Sequence, residues 1–139
     1  EGPYGIPEGF EWGCLYVVVN GAEGSSIGTG HQNTLDIVAQ NCQTNNGGIT
    51  AAQATLDYSS EGFTDWYLPS IDELVEMYNT IGNGGVQGNI GGFEVNYCYY
   101  YWSSSSSNVN GAQRVDFING YTYSEHKYTS LRVRAVRAF

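Results

Sequence analysis

Not one lysine or arginine occurs in the first 113 of the 139 residues, a stretch that carries twelve acidic side chains. All five bases (Arg114, Lys127, Arg132, Arg134, Arg137) follow it, and the whole chain has a net charge of -9. Nucleic-acid binding by phosphate neutralisation needs a basic surface, so that class is disfavoured. In a compact fold the basic end must lie among acidic neighbours, which constrains topology as well as solubility. No apolar run approaches the length needed to span a bilayer. Charged residues make up only 14% of the chain, against 19 glycines and 12 tyrosines, which excludes a coiled coil and a charge-rich disordered segment. A chain of this length can form one domain with a real core.

The usual apparatus of catalysis is also sparse. The three cysteines (Cys14, Cys42, Cys98) form no C-x-x-C. They fit either one disulfide plus a free thiol or a fully reduced set, free buried cysteine being the plainer reading. His31 and His126 have no zinc-type spacing to cysteine or to each other. There is no G-x-S-x-G, and Gly28-Thr29-Gly30 lacks the lysine of a phosphate-binding loop. A catalytic site built from Cys42, His31 and an acid has no local signature. Asp72, Glu73 and Glu76 fall at the start of one helix, where the dipole favours acids. Calcium suits so acidic a chain because hard cations take oxygen ligands, although no dense D-x-D-x-[DN] loop is present. We therefore expect no catalytic residue and no cofactor, with a structural calcium left open.

What is present begins with local signals. Leu15 to Val19 is a β-branched and aromatic run ended by Asn20-Gly21, and reads as a strand. Thr34 to Gln40 reads as a helix with Leu35, Val38 and Ala39 on its buried face, and Thr50 to Tyr58 as a second, short one. Ser70-Ile71-Asp72-Glu73 is a capping box, opening a helix whose stripe is Ile71, Leu74, Val75 and Tyr78 and whose end is Gly82. Pro69 keeps Leu68 extended, so residues 65–68 enter as a strand. Tyr99 to Ser103, Gln113 to Phe117 and Leu131 to Phe139 are the best later strands, with a turn at Asn119-Gly120. Two or three helices followed by several strands indicate an α+β fold: helices against a small antiparallel sheet, with long loops.

Composition then changes abruptly. Seven of the twelve tyrosines lie between Asn96 and Leu131, beside seven serines. This is the palette of an antibody paratope, where tyrosine gives large contact area at small entropic cost and serine, asparagine and glycine adapt their hydrogen bonding. Tyr100 to Ser103 reads as one buried strand. Ser106 to Gly111 and Tyr121 to Leu131 read as a recognition surface.

Three segments together resemble a known family. Trp66-Tyr67-Leu68-Pro69-Ser70-Ile71-Asp72-Glu73-Leu74, Tyr101-Trp102-Ser103-Ser104-Ser105 and Val133-Arg134-Ala135-Val136-Arg137-Ala138-Phe139 resemble signatures of the C-terminal domain of the Legionella collagen-like adhesin. The resemblance covers most of residues 1–139 and implies a single C-type-lectin-like domain, part of a longer protein, whose chain ends pair. It also implies that a loop region, taken as 94–132, carries the ligand site. The last forty residues further resemble the variable proteins of diversity-generating retroelements, in which adenine-directed copying randomises chosen codons. By that resemblance Ala112, Phe117, Gly120 and Lys127 are scaffold. Asn108, Asn110, Arg114, Asp116, Ile118, Tyr121, Tyr123, Ser124, His126, Tyr128, Ser130 and Leu131 are variable and ligand-facing, all of types reachable from an Asn codon by adenine changes, whereas Glu125 is not.

The implied function is a non-catalytic, hypervariable ligand-binding domain for a protein or cell-surface ligand, on a cell surface, a virion or a secreted protein. Neither nucleic acid nor membrane insertion is involved in that reading. The alternative is an invariant adhesin domain for glycans or sulfated polysaccharide. Glu94-Val95-Asn96 lacks the proline of calcium-dependent lectin motifs, which weakens sugar binding through calcium. For Arg134 and Arg137 we expect partial burial and a bidentate pairing of at least one with an acid from the first 113 residues.

Overall fold

A computed structural model describes residues 9–138. Phe139, the last residue of the closing motif, lies outside the described residues. Three helices precede a three-stranded antiparallel sheet: α1 (Gly30–Ala39), α2 (Ala51–Asp57), α3 (Ile71–Ile81), β1 (Tyr100–Ser106), β2 (Gly111–Asp116) and β3 (Thr122–His126), in sheet order β1-β2-β3. The α+β reading holds, and this architecture is consistent with the C-type-lectin-like shape that the resemblance implies.

The capping box forms as the sequence predicts. Ser70 Oγ accepts the Glu73 N–H at 3.3 Å, and Glu73 Oε1 accepts the Ser70 N–H at 2.7 Å. Glu73 Oε2 also accepts the Gly28 N–H at 2.8 Å, so one carboxylate ties the start of α3 to the loop that leads into α1. Gly30 sits hard against this junction. A Cβ there would stand 2.8 Å from Ser70 N and 3.0 Å from Leu68 O.

The sheet separates two apolar clusters. Trp102 and Ala112 pack with Trp12, Ile37, Leu68 and Leu131 on one side. Tyr101, Val115 and Phe117 pack with Ile71, Leu74 and Phe93 on the other. Tyr100 to Ser103 is thus the buried strand expected. The serines that follow are buried too, and serve the backbone. Ser105 Oγ donates to Gly24 O and accepts the Ile71 N–H, while Ser104 N–H reaches Pro69 O.

Several sequence expectations give way. Leu15 to Val19 is no strand: Tyr16 is 72% exposed in a turn, because Cys14 and Tyr16 take positive φ of 57° and 63°. Cys14 is bonded to Cys42, and Cys98 is the free, buried thiol, so the disulfide alternative is the one realised. The buried face of α1 is Gly30, Asn33, Thr34 and Ile37, with Leu35 exposed. The reason is polar: Asn33 Nδ2 donates to Gly24 O and Ser104 Oγ. Leu131 to Ala138 makes isolated bridges rather than a strand, pairing Leu131 with Phe10, Arg132 with Tyr101 and Val136 with Tyr67. Residues 65–68 likewise contribute only the Tyr67 bridge.

The basic end does find acidic and carbonyl partners. Arg137 grips Asp65 with both Nε and Nη2, at 2.8 and 3.1 Å, the bidentate pair expected. Arg134 instead donates to Gly91 O and lies over the Phe93 ring. Hydrogen bonding to Arg137 holds the Asp65 carboxyl below its ordinary 3.8.

Two predictions follow from these contacts. Gly30→Ala should lower the unfolding free energy by about 1–3 kcal/mol in urea, since the backbone it meets cannot swing aside. In a carbon-detected NMR titration Asp65 should have its midpoint below 3.8, with the pair's contribution lost as pH falls through it, and Arg137→Ala should return the midpoint to about 3.8.

Candidate ligand-binding surface

The hairpin joining β2 to β3 is built by its own side chains. Gly120 takes φ 79°, and its N–H donates to Asp116 O at 2.7 Å. Asp116 Oδ1 accepts the N–H of Ile118 at 2.8 Å and of Asn119 at 3.4 Å. Any Cβ on Gly120 would lie 2.5 Å from the Tyr78 ring, whose hydroxyl donates to Ile118 O. The turn is therefore pinned against α3.

From this base the chain presents aromatic rings to solvent. Tyr121, Tyr123 and Tyr128 are 61%, 53% and 45% exposed. His126 stacks on Tyr128 with ring centroids 5.1 Å apart and planes 6° from parallel. Asn108, Ile118 and Ser124 are exposed as well, and Asn110 is half-buried. Asn108, Asn110, Gly111, Ser124, Glu125 and His126 line a polar cleft of about 220 Å³. Of the twelve residues expected to face a ligand, Asn108, Ile118, Tyr121, Tyr123, Ser124, His126 and Tyr128 are exposed and Asn110 is half-buried, with Asn108, Asn110, Ser124 and His126 gathered in the cleft.

The other four are placed differently. Leu131 is fully buried, because reciprocal backbone bonds with Phe10 at 2.8 and 3.0 Å carry it into the Trp12–Trp102 cluster. Ser130 is buried beside it. Asp116 is buried because its carboxylate closes the hairpin. These three correct the expectation of ligand-facing side chains. Arg114 is largely covered: its guanidinium lies 3.8 Å from the Tyr100 ring centroid and 4.9 Å from that of Tyr123, and Nε donates to Glu125 Oε1 at 3.1 Å. It acts as a strut beneath Tyr123 more than as a contact.

Lys127 sits between the stacked His126 and Tyr128, yet it is fully buried. Its Nζ donates to Cys14 O and Val17 O, both at 3.3 Å, and lies 4.8 Å from the Trp12 ring centroid. Burial lowers its pKa from the ordinary 10.5. The same turn donates Tyr16 N–H to Val109 O at 2.7 Å, so exposed Tyr16 adjoins the Asn108–Asn110 loop. Sequence reading missed Tyr16, since nothing local marks a positive φ there. Strand β3 was missed too, its residues lacking any apolar alternation.

Cys42 is committed to its disulfide and His31 stacks on Tyr67, so the Cys42–His31 pairing has no free thiolate. Among the described residues no three His, Cys, Asp or Glu side chains converge as a metal site requires. A larger cavity of about 530 Å³ lies between α2 and the closing segment, lined among others by Phe10, Tyr58, Trp66 and Val133. Among the described residues no helix is long and apolar enough to cross a membrane.

The α+β scaffold carries Tyr121 and Tyr123 exposed on and beside one polar hairpin. The chain belongs to the Lcl C-terminal domain family, whose model matches residues 20–137, and it is thus an adhesin-like domain. A search of curated proteins returns no match.

The buried amine gives a pH test. Between Lys127's lowered folded pKa and 10.5 the unfolded chain holds a proton that the folded chain has released, so this group adds stability as pH rises through that window. Tyr67 works the opposite way above 10.0, because burial, aided by the charge of Glu73, keeps its phenol protonated in the folded state. Urea unfolding as a function of alkaline pH should show the rising slope disappear in Lys127→Met, with the Tyr67 decline unchanged.

Proposed function

We propose that this domain is a non-catalytic ligand-binding module whose β3 hairpin and neighbouring loops form a side-chain-tolerant recognition surface, diversified by a retroelement. One observation carries the reading. Scaffold and exposed residues alternate along the same short stretch: Ala112, Phe117 and Lys127 are fully buried, while Ile118, Tyr121, Tyr123, His126 and Tyr128 point into solvent. Side chains that bear no packing load can change without unfolding the domain. Tyrosine-rich surfaces of this kind bind proteins and cell-surface molecules through rigid aromatic contact and adaptable hydrogen bonds.

Family membership favours a second, narrower reading, an invariant adhesin for glycans. The cleft beside Asn108, Asn110 and His126 offers amide, hydroxyl, carboxylate and imidazole groups to a sugar. Sulfated polysaccharide fits less well, since Arg137 is engaged by Asp65 and the net charge is -9.

The two readings separate on tolerance. A display library randomised with adenine-derived codons at Asn108, Ile118, Tyr121, Tyr123, Ser124, His126 and Tyr128 should remain mostly folded by protease resistance. Stability should stay within about 0.5 kcal/mol per exposed site. The same randomisation at Asp116, Ser130 and Leu131 should unfold most members. A gene neighbourhood holding a near-identical downstream repeat and a reverse transcriptase is expected. A neighbourhood with neither, together with one dominant class on a glycan array, would transfer the assignment to the adhesin reading.

A further inference from the structure

Among the described residues strand β3 pairs on one side only. Its register with β2 is unbroken from Gly111↔His126 to Val115↔Thr122. Just beyond its ends, Asp116 N–H donates to Tyr121 O at 2.9 Å and Lys127 N–H to Asn110 O at 3.0 Å. In an antiparallel ladder, residues in phase with these two turn their peptide groups toward the neighbour, and the intervening ones turn away. Tyr123 and Glu125 therefore face β2. Thr122, Ser124 and His126 direct their peptide groups off the edge of the sheet. His126 O is taken by the Thr129 N–H at 3.0 Å. The N–H and C=O of Thr122, the N–H and C=O of Ser124 and the N–H of His126 have no partner among the described residues.

Among the described residues nothing blunts this edge. Natural sheets protect their edges with proline, outward lysine, bulges or a covering loop. β3 has no proline or lysine, its pairing is free of bulges, and four of its five residues are exposed. The outward groups repeat every second residue, roughly 7 Å apart, as donor and acceptor together. That pattern is the complement of another extended backbone, and no sugar reproduces it.

We propose that the ligand includes an extended polypeptide segment that adds to the sheet as a fourth strand along β3. The inference rests on the recognition reading above and names its partner class. On one face the added strand meets Tyr123, and on the other it passes the cleft of Asn108, Asn110 and His126. Main-chain bonds of this kind supply affinity, while side chains in alternation supply selectivity. A surface whose side chains vary thus keeps a sequence-independent share of its binding strength.

The test uses random dodecapeptides displayed and selected against the chain, followed by synthetic peptides in solution. Backbone N-methylation at alternate positions of a selected peptide should weaken binding about tenfold or more in one phase and leave the other phase unaffected. Amide exchange at Thr122, Ser124 and His126 should slow with peptide bound. Thr122→Pro, which removes an outward N–H but no ladder bond, should weaken binding by a similar factor, with Thr122→Ala as the control. The N-methylated peptides decide the matter even if Thr122→Pro fails to fold. Peptides that depend on Tyr121 or Tyr123 but ignore methylation phase would overturn strand addition and leave the recognition reading intact. Slowed exchange that grows with protein concentration, without peptide, would reassign the edge to self-pairing. A selection yielding no peptide dependent on this face would remove both.

Discussion

The fold depends on a seam of buried hydroxyls. A three-stranded sheet with short helices gives little regular ladder for its long connections, yet buried peptide groups must be paired. Ser103, Ser104 and Ser105 meet that demand from the centre of the molecule, each fully buried. Their hydroxyls and amides reach Gln113 O, Gly24 O, Pro69 O and the Ile71 N–H, while Trp12 Nε1 donates to Ser103 O. The loop before α1, the entry to α3 and the β1–β2 pair are thereby referred to one strand. An apolar residue at any of these positions would fill space and leave loop peptides unsatisfied.

Because the connections are held from within, the outer hairpin is relieved of structural duty. The chain there switches between load and display from one residue to the next. Lys127 anchors to Cys14 and Val17 carbonyls while its two neighbours stack in solvent. β3 itself shows no buried face, so the usual constraint of alternating polarity is absent from it. The disulfide extends this arrangement, fixing the turn that meets both Lys127 and the Val109 loop.

What could be read from the sequence was what short-range chemistry decides. The Ser70–Glu73 box, the extent of α3 and the buried Tyr101-Trp102-Ser103 run all emerged as expected, while Ala112, Phe117 and Lys127, set apart only by the family resemblance, are buried. The bidentate pairing of Arg137 emerged too, expected because Val133 and Val136 beside the arginines argue for burial and a buried guanidinium needs a partner. The failures share a cause in long-range geometry. Leu15 to Val19 has every propensity of a strand, but the Cys14–Cys42 bond and two positive φ values turn Tyr16, Val17 and Val18 outward and leave only Val19 in the core. Leu131 sits in a Tyr/Ser-rich stretch, and only its pairing with Phe10, more than a hundred residues away, draws it inside. On α1, polar Asn33 displaced Leu35 from the core because the loop carbonyl of Gly24 needed a donor.

The domain's single lysine is the one buried against the Cys14 turn and the Trp12 ring. Acylating reagents that attack side-chain amines find no lysine to modify on the folded surface. Whenever the lid formed by the Cys14 turn swings away, that amine becomes reactive. Its rate of acylation is therefore a built-in gauge of how often the molecule breathes at the foot of the β3 hairpin.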